Sequence, residues 1–327
     1  MKKGLKRILA LAIVLVMVTG LAAYSGELPK VTWRFSTQGD EYQVMGKETL
    51  WVAEQVAERT NGGFILETYL GGVLGNTSAV LDSVQGGLIQ IAHCPANVVA
   101  NYVPEIGFWA LPHLITNWDD AIDLMASDLF DRFDSAYEEK GFYPLGFYIG
   151  GFSHVANNIR PITRREDLAG IKIRVMDNPM VIDIFNSFGA YAITMSVAEQ
   201  ATGLQQRTID GIDQRVETIY NDYYEFLNYI SLTSQSMYVG SVIANASAVK
   251  SLPAEYKAVL DEVCAESQAR ISRLFREEEG ELLLQMQDKI NYLTDEAMAE
   301  FAEFSRTQIW PKYEAQYGDI MKAIIGR

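Results

Sequence analysis

From residue 253 onward the chain carries a helical pattern too long for one small lobe. Pro253 opens it, and apolar residues recur at helical spacing (Leu260, Val263, Ile271, Leu274, Phe275, Leu282, Met286) to about residue 289. A helix of ~35 residues is ~50 Å long. It must brace two lobes or break near Gly280, and the brace is the expectation here. The preceding chain indicates what the lobes are made of. Residues 31–36 alternate as a strand, 43–59 repeat apolar positions at helical period up to Asn61-Gly62-Gly63, and 64–70 form a second strand. Asn76 and Thr77 can cap a helix that Gly86-Gly87 ends, and 88–92 form a third strand. This β-α-β-α-β alternation predicts an α/β fold with parallel strands and helices on the sheet faces.

Ala110-Leu111-Pro112-His113 breaks the chain, Asn117 or Asp119 opens a helix, and 128–140 reads as another. Residues 142–148 read as a strand that Gly150-Gly151 interrupts, and a glycine pair there lets the chain bend or cross between lobes. Asn178-Pro179 starts a helix with proline at its first position. Ser196-Val197-Ala198-Glu199 fits a capping box.

The N-terminus has the pattern of a secretory signal. Lys2, Lys3, Lys6 and Arg7 precede an apolar run at 8–18, and small residues follow at Ala22, Ala23 and Ser25. The apolar run is short for a membrane anchor. Tyr24 stands where a lipoprotein would need cysteine, so the expectation is a soluble exported protein cleaved near residue 25. Loss of residues 1–25 removes four cations and no anions, which takes the formal charge from −15 to −19. Such acidity argues against nucleic acid and anionic membranes as partners. Cys94 and Cys264 leave a disulfide and two buried thiols equally open. His93, His113 and His154 are the only histidines, and no Gly-x-Ser-x-Gly elbow, phosphate loop, dinucleotide fingerprint or Cys/His metal cluster is present. An enzyme is therefore not expected.

Several short runs recur in a shared order: Leu74-Gly75-Asn76, Val103-Pro104-Glu105, Ala110-Leu111-Pro112, Asn157 to Pro161, Glu166-Asp167-Leu168-Ala169-Gly170-Ile171-Lys172-Ile173-Arg174, Phe188-Gly189-Ala190, Met195-Ser196 with Glu199, Asp210-Gly211, Tyr224-Glu225 and Leu252-Pro253. Together they resemble the substrate-binding subunits of tripartite ATP-independent periplasmic (TRAP) transporters, the DctP-like family, over nearly all of the chain beyond the signal. The resemblance implies a two-lobed, hinged, periplasmic-binding-protein-like α/β fold with the long helix spanning both lobes. It implies a monomeric periplasmic protein that closes on a small organic acid and hands it to membrane permease subunits. Lobe I is expected at 26–150 plus about 239–278, and lobe II at 151–238 plus about 279–327. The alternatives are delivery to a membrane sensor kinase, an ATP-driven transporter receptor, or a periplasmic hydrolase.

The resemblance places a carboxylate clamp at Arg174, whose guanidinium can donate two parallel hydrogen bonds. Relatives often carry a second arginine where this chain has Ser153, followed by His154, and an asparagine where it has Gln214. Ser153, a protonated His154 or Arg215 could fill the missing cation's place. Gln214 and Asn157 suit hydroxyl or carbonyl recognition, with a backbone-holding role open for Asn157. Gln38, Asn76, His93 and Asn97 lie at or after predicted strand ends, where open parallel sheets present ligands. Phe152, Trp33 and Trp109 are aromatic candidates for the cleft wall, with core packing favoured for both tryptophans. Ile212-Asp213-Gln214 departs from the Glu-Trp of a metal-using subgroup, so no metal or cofactor is expected. With one arginine in place, the simplest ligand is a monocarboxylate, with a dicarboxylate as the alternative. Glu277, Glu278, Glu279 and Glu281 are expected on a solvated helix face.

Overall fold

The computed structural model describes residues 28–326 apart from 126, 128 and 129. The expected signal segment and the start of the expected 128–140 helix lie outside the described residues. The strands are β1 (Val31–Ser36), β2 (Phe64–Tyr69), β3 (Ile91–Pro95), β4 (Phe142–Asn157), β5 (Lys172–Val175), β6 (Tyr191–Thr194), β7 (Gly211–Arg215), β8 (Tyr229–Asn245) and β9 (Ile290–Asn291). Among the described residues they make one sheet in the order β2-β1-β3-β8-β4-β7-β5-β6, with β9 on β8. β1, β2 and β3 are mutually parallel, as are β5, β6 and β7. Between the two sets, β3 meets β8, β8 meets β4 and β4 meets β7, each antiparallel. Three reversals leave the two parallel sets running in opposite directions. Their carboxyl ends therefore point toward the middle of the molecule from both sides.

The expected strand at 142–148 does not stop at Gly150-Gly151. β4 continues to Asn157, and its pairing to β8 shifts register between Ile149 and Phe152. Gly151 has φ +101°, which a side chain would resist. The glycines thus bend the strand through a bulge rather than end it. The third strand starts at Ile91 rather than at 88, because the turn after Gly87 leaves Leu88 68% exposed.

The long helix is continuous from Ala254 to Gln285 and passes through Gly280, beside which there is open space. At 32 residues it is ~48 Å long, close to the ~50 Å of the 16-residue β4. Its N-terminal part packs Tyr256, Leu260, Val263 and Phe275 against Trp33, Phe35, Val52 and Phe64. At its C-terminal end Leu282 and Met286 join Ile212, Val216, Ile219 and Tyr223. One helix thus feeds two cores, as the brace requires. Trp109 and Phe152 lie in a third core.

Residues beyond 279 make contacts in both halves. Lys312 and Tyr313 bind Asp183, but Tyr317 donates to the Pro104 carbonyl at 2.6 Å and packs the last helix against the first half. One expectation needs correction: the acidic run on the long helix is not all solvated. Glu279 accepts from Trp118 Nε1 at 3.1 Å, and burial raises its carboxyl to about 7. Cys94 and Cys264 are free and buried.

Gly240 in β8 faces Tyr148 in β4, and a Cβ there would come within 2.0 Å of Tyr148 Cζ and 2.3 Å of its hydroxyl oxygen. Tyr148 is 1% exposed and packs on His93 and Phe275. Gly240→Ala should therefore overpack the centre of the sheet and cost about 1–3 kcal/mol. Urea unfolding checks this: an unchanged midpoint would mean that Tyr148 has room to move.

Candidate functional site

The converging strand ends enclose a cavity of about 340 Å³. From the first half come Gln38 after β1, the Asn76–Ser78 helix start after β2, and His93 in β3. From the second come Arg174 in β5, Thr194 and Met195 at the end of β6, and Gln214 with Arg215 at the end of β7. This is where parallel α/β sheets offer ligands a crevice, here doubled by the opposed strand sets.

Arg174 is 3% exposed. Its Nε donates to the Met195 carbonyl at 2.8 Å, which fixes the plane of the guanidinium, while its Nη1 has no partner. Among the described residues no carboxylate lies within ion-pair distance of it. Burial lowers its pKa to about 10, with the nearby Asp213 carboxylate opposing the shift. The side chain still carries its charge at neutral pH, in a place where an unpaired charge is costly. Asp213 feels the same burial and is raised to about 7, although Arg174 and a hydrogen bond from Gln235 Nε2 pull the other way.

Arg215 is also buried but has a counter-ion. Tyr238 and Phe275 lie 4.4 and 4.6 Å from its guanidinium carbon, Nε donates to Thr218 Oγ1 at 3.2 Å, and Nη2 is 2.9 Å from Glu217 Oε2. Nη1 has no hydrogen-bond partner. His93 stacks on Phe35, and neither of its ring nitrogens has a partner. Burial lowers its pKa to about 3, so it stands neutral at the cavity wall. Gln38 Nε2 donates to the Gly75 carbonyl at 3.0 Å, and Asn76 Oδ1 caps its helix by accepting from Ala79 N–H. Gln214 Nε2 makes only a long 3.4 Å contact to Gln200.

Gln38, Asn76, His93, Arg174, Gln214 and Arg215 thus come together from distant parts of the sequence. Asn97, Phe152, Ser153, His154 and Asn157 do not line the cavity. Ser153 and His154 lie within the β4–β7 ladder, opposite Arg215 and Gln214. His154 Nδ1 accepts from Ser234 N–H, and burial drops its pKa to about 3, so it cannot serve as the missing cation. Asn157 Oδ1 accepts from Ile159 and Arg160 N–H and holds the turn after β4. Phe152 is core, and Asn97 faces a separate small void beside Asp213 and Gln235. Sequence reasoning missed Gln43, Thr218, Asp222 and Tyr238. Nothing local marks them. Asp222 sits 179 residues from Gln43, yet it accepts from Gln43 Nε2 at 3.2 Å and from Tyr42 Oη at 3.3 Å across the cavity mouth.

Residues 35–316 match the model of the DctP family, described as bacterial extracellular solute-binding protein, family 7. The chain belongs to this family. It is 27% identical over 318 residues to the 2,3-diketo-L-gulonate-binding periplasmic protein YiaO of Escherichia coli K12, covering 94% of this chain and 96% of that protein. It is 24% identical over 325 residues to the ectoine/5-hydroxyectoine-binding periplasmic protein UehA of Ruegeria pomeroyi, covering 95% and 93%. The sugar acid binding protein DctPAm of Advenella mimigardefordensis, solved with galactonate, superposes with TM-score 0.86 at 24% identity over 92% of this chain and 98% of that one. A TRAP periplasmic solute binding protein of Shewanella oneidensis, solved with succinate, gives TM-score 0.86 at 22% identity over 91% and 99%. These structures share the two-lobed α/β fold. Among the described residues no helix is long and apolar enough to cross a membrane.

Proposed function

We propose that this chain is exported with loss of its first ~25 residues, captures a small organic acid between its two lobes, and delivers it to the membrane subunits of a TRAP transporter. Arg174 carries the reading. A buried guanidinium with a free Nη1 and no ion pair is stabilised by an incoming carboxylate, which supplies the missing counter-charge and two hydrogen bonds. Gln214, His93 and Gln38 then meet the ligand's remaining oxygens through neutral groups. The ligands of these relatives (a diketo sugar acid, galactonate, succinate) are all carboxylates, which fits the same clamp. The lobe boundary falls at the β4 bulge near Gly150-Gly151 and opposite it in β8, where few residues need to rotate for closure. The family supports transport rather than catalysis.

Thermal-shift screening tests the reading, because a ligand that binds only the folded state raises the melting temperature by mass action. Carboxylates are expected to raise it and their amides or methyl esters to leave it unmoved. Stabilisation by the esters would remove the carboxylate clamp.

Asp213 makes the binding pH-dependent. Its carboxyl titrates near 7, above the ordinary value because of burial, and lies beside Arg174. When ionised it competes with the ligand for the same guanidinium; when protonated it does not. A bound carboxylate raises the Asp213 pKa further, so binding takes up protons and affinity should climb as pH falls from 8 to 6, by less than about tenfold per unit. The ligand, with a pKa of about 4, stays ionised over this range. Calorimetry at both pH values checks it, with Asp213→Asn expected to flatten the profile. A flat wild-type profile would show that Asp213 does not reach the clamp.

A further inference from the structure

The two arginines at the cavity differ in one respect that bears on which acids can enter. Arg174 has no ion-pair partner, whereas Arg215 has Glu217, 3% exposed, with its Oε2 2.9 Å from Nη2. Burial pulls the Arg215 pKa down, but the Glu217 carboxylate, together with Tyr238, Tyr148 and Asp222, holds it above its ordinary value. Glu217 does not line the cavity. It reaches Arg215 from behind, and its Oε1 accepts from Val44 N–H at 3.3 Å, in the first turn of a helix from the other half. That helix has no side-chain cap of its own and no acidic residue in its first turn, so Glu217 is held at a place where a carboxylate is favoured. Asp222, half-buried and at the cavity itself, adds a second negative group on this side, held by Gln43 and Tyr42.

We propose that Glu217 is a specificity-determining residue that fixes the ligand at one carboxylate. This rests on Arg174 being the carboxylate clamp. The Arg215 charge is already spent on Glu217, yet its Nη1 remains a buried donor without an acceptor. Such a donor is satisfied by a hydroxyl or carbonyl oxygen, which needs no counter-charge. A second carboxylate at the same spot would face Arg215 across an ion pair that has cancelled its charge, with Asp222 close by, and would lose its own hydration for little return. The cavity therefore admits a single carboxylate on Arg174 with hydroxyl or carbonyl groups turned toward Arg215. Discrimination of this kind works by withholding a partner from the wrong ligand as much as by fitting the right one.

The test is selectivity rather than affinity, because a merely structural loss weakens all ligands together. Calorimetry would compare matched pairs, gluconate with glucarate and 4-hydroxybutyrate with succinate, on wild-type protein, Glu217→Gln and Asp222→Asn. Wild type should prefer the monocarboxylate of a pair. Glu217→Gln bares the Arg215 charge and should move the ratio toward the dicarboxylate by tenfold or more. Asp222→Asn should move it the same way by less, and serves on its own if Glu217→Gln does not fold. A wild-type preference for the dicarboxylate, or an unmoved ratio in the variants that fold, overturns the proposal. Arg174→Ala separates the two readings: loss of both members of a pair keeps the clamp even where Glu217 has failed as the selector. Binding of neither member of either pair by wild type overturns the proposal for these hydroxy acids.

Discussion

Arg174→Ala is expected to weaken carboxylate binding by roughly 10²–10³-fold while leaving the unliganded protein nearly as stable as before. The first half follows from the pair it would make: removing one partner of a buried, hydrogen-bonded ion pair costs about 3–5 kcal/mol, and each 1.4 kcal/mol is tenfold in affinity. The second half follows from the empty state. Without ligand the guanidinium is 3% exposed and has no ion pair, so its removal relieves a desolvated charge even as it opens a void. Arg174→Lys should lose most of the binding too. An ammonium cannot keep the Met195 carbonyl bond and present two parallel donors at once. Titration calorimetry and urea unfolding on the same preparations decide it. Near-wild-type affinity in the lysine variant would mean that the contact is a point charge and not a fork.

Arg215→Ala should do the opposite to stability. Here the charge is paired, and truncation strands the Glu217 carboxylate, 3% exposed, beside Val44 N–H alone. Breaking such a pair costs about 3–5 kcal/mol, and the stacking of the guanidinium on Tyr238 and Phe275 is lost as well. Replacing both partners, as in Arg215→Met with Glu217→Leu, should recover much of that loss, since a buried pair exchanged for apolar side chains is often neutral. The double variant separates stranded charge from lost packing. Recovery to within about 1 kcal/mol assigns the damage to the bare carboxylate. A double variant no better than Arg215→Ala would assign it to the ring contacts. The two arginines, alike in sequence and burial, are thus expected to split: one dispensable for folding and needed for binding, the other needed for both.

Much of the architecture was legible because it rests on local chemistry. Asn76 and Asn178 cap the helices that follow them, Ser196 and Glu199 close a capping box, and Asn61-Gly62-Gly63 ends a helix. Period-2 and period-3.6 patterns placed β1, β2 and the long helix within a few residues. β8 escaped notice. It is 17 residues of mixed serine, threonine and aliphatic side chains, buried by neighbours on several sides, so it carries neither alternation nor a continuous apolar run. The β4 bulge was misread as a break for a related reason. A glycine pair signals a bend, but whether pairing resumes beyond it depends on the partner strand.

The sequence by itself determined the fold class, the bracing helix and Arg174 as the first binding candidate, because capping, periodicity and a distinctive ordered set of short runs are written in neighbouring residues. The tertiary structure decided which other side chains join Arg174. Alternation along β4 cannot say that Ser153 and His154 sit in the β7 ladder away from the cavity, nor that His154 is neutral through burial. Nor can spacing bring Asp222 to Gln43, or Glu217 to the start of a helix 173 residues earlier. Charge at the site is likewise a matter of position. Arg174 and Arg215 are the same residue type, and only the packing of the opposed strand sets leaves one without a counter-ion and gives the other Glu217.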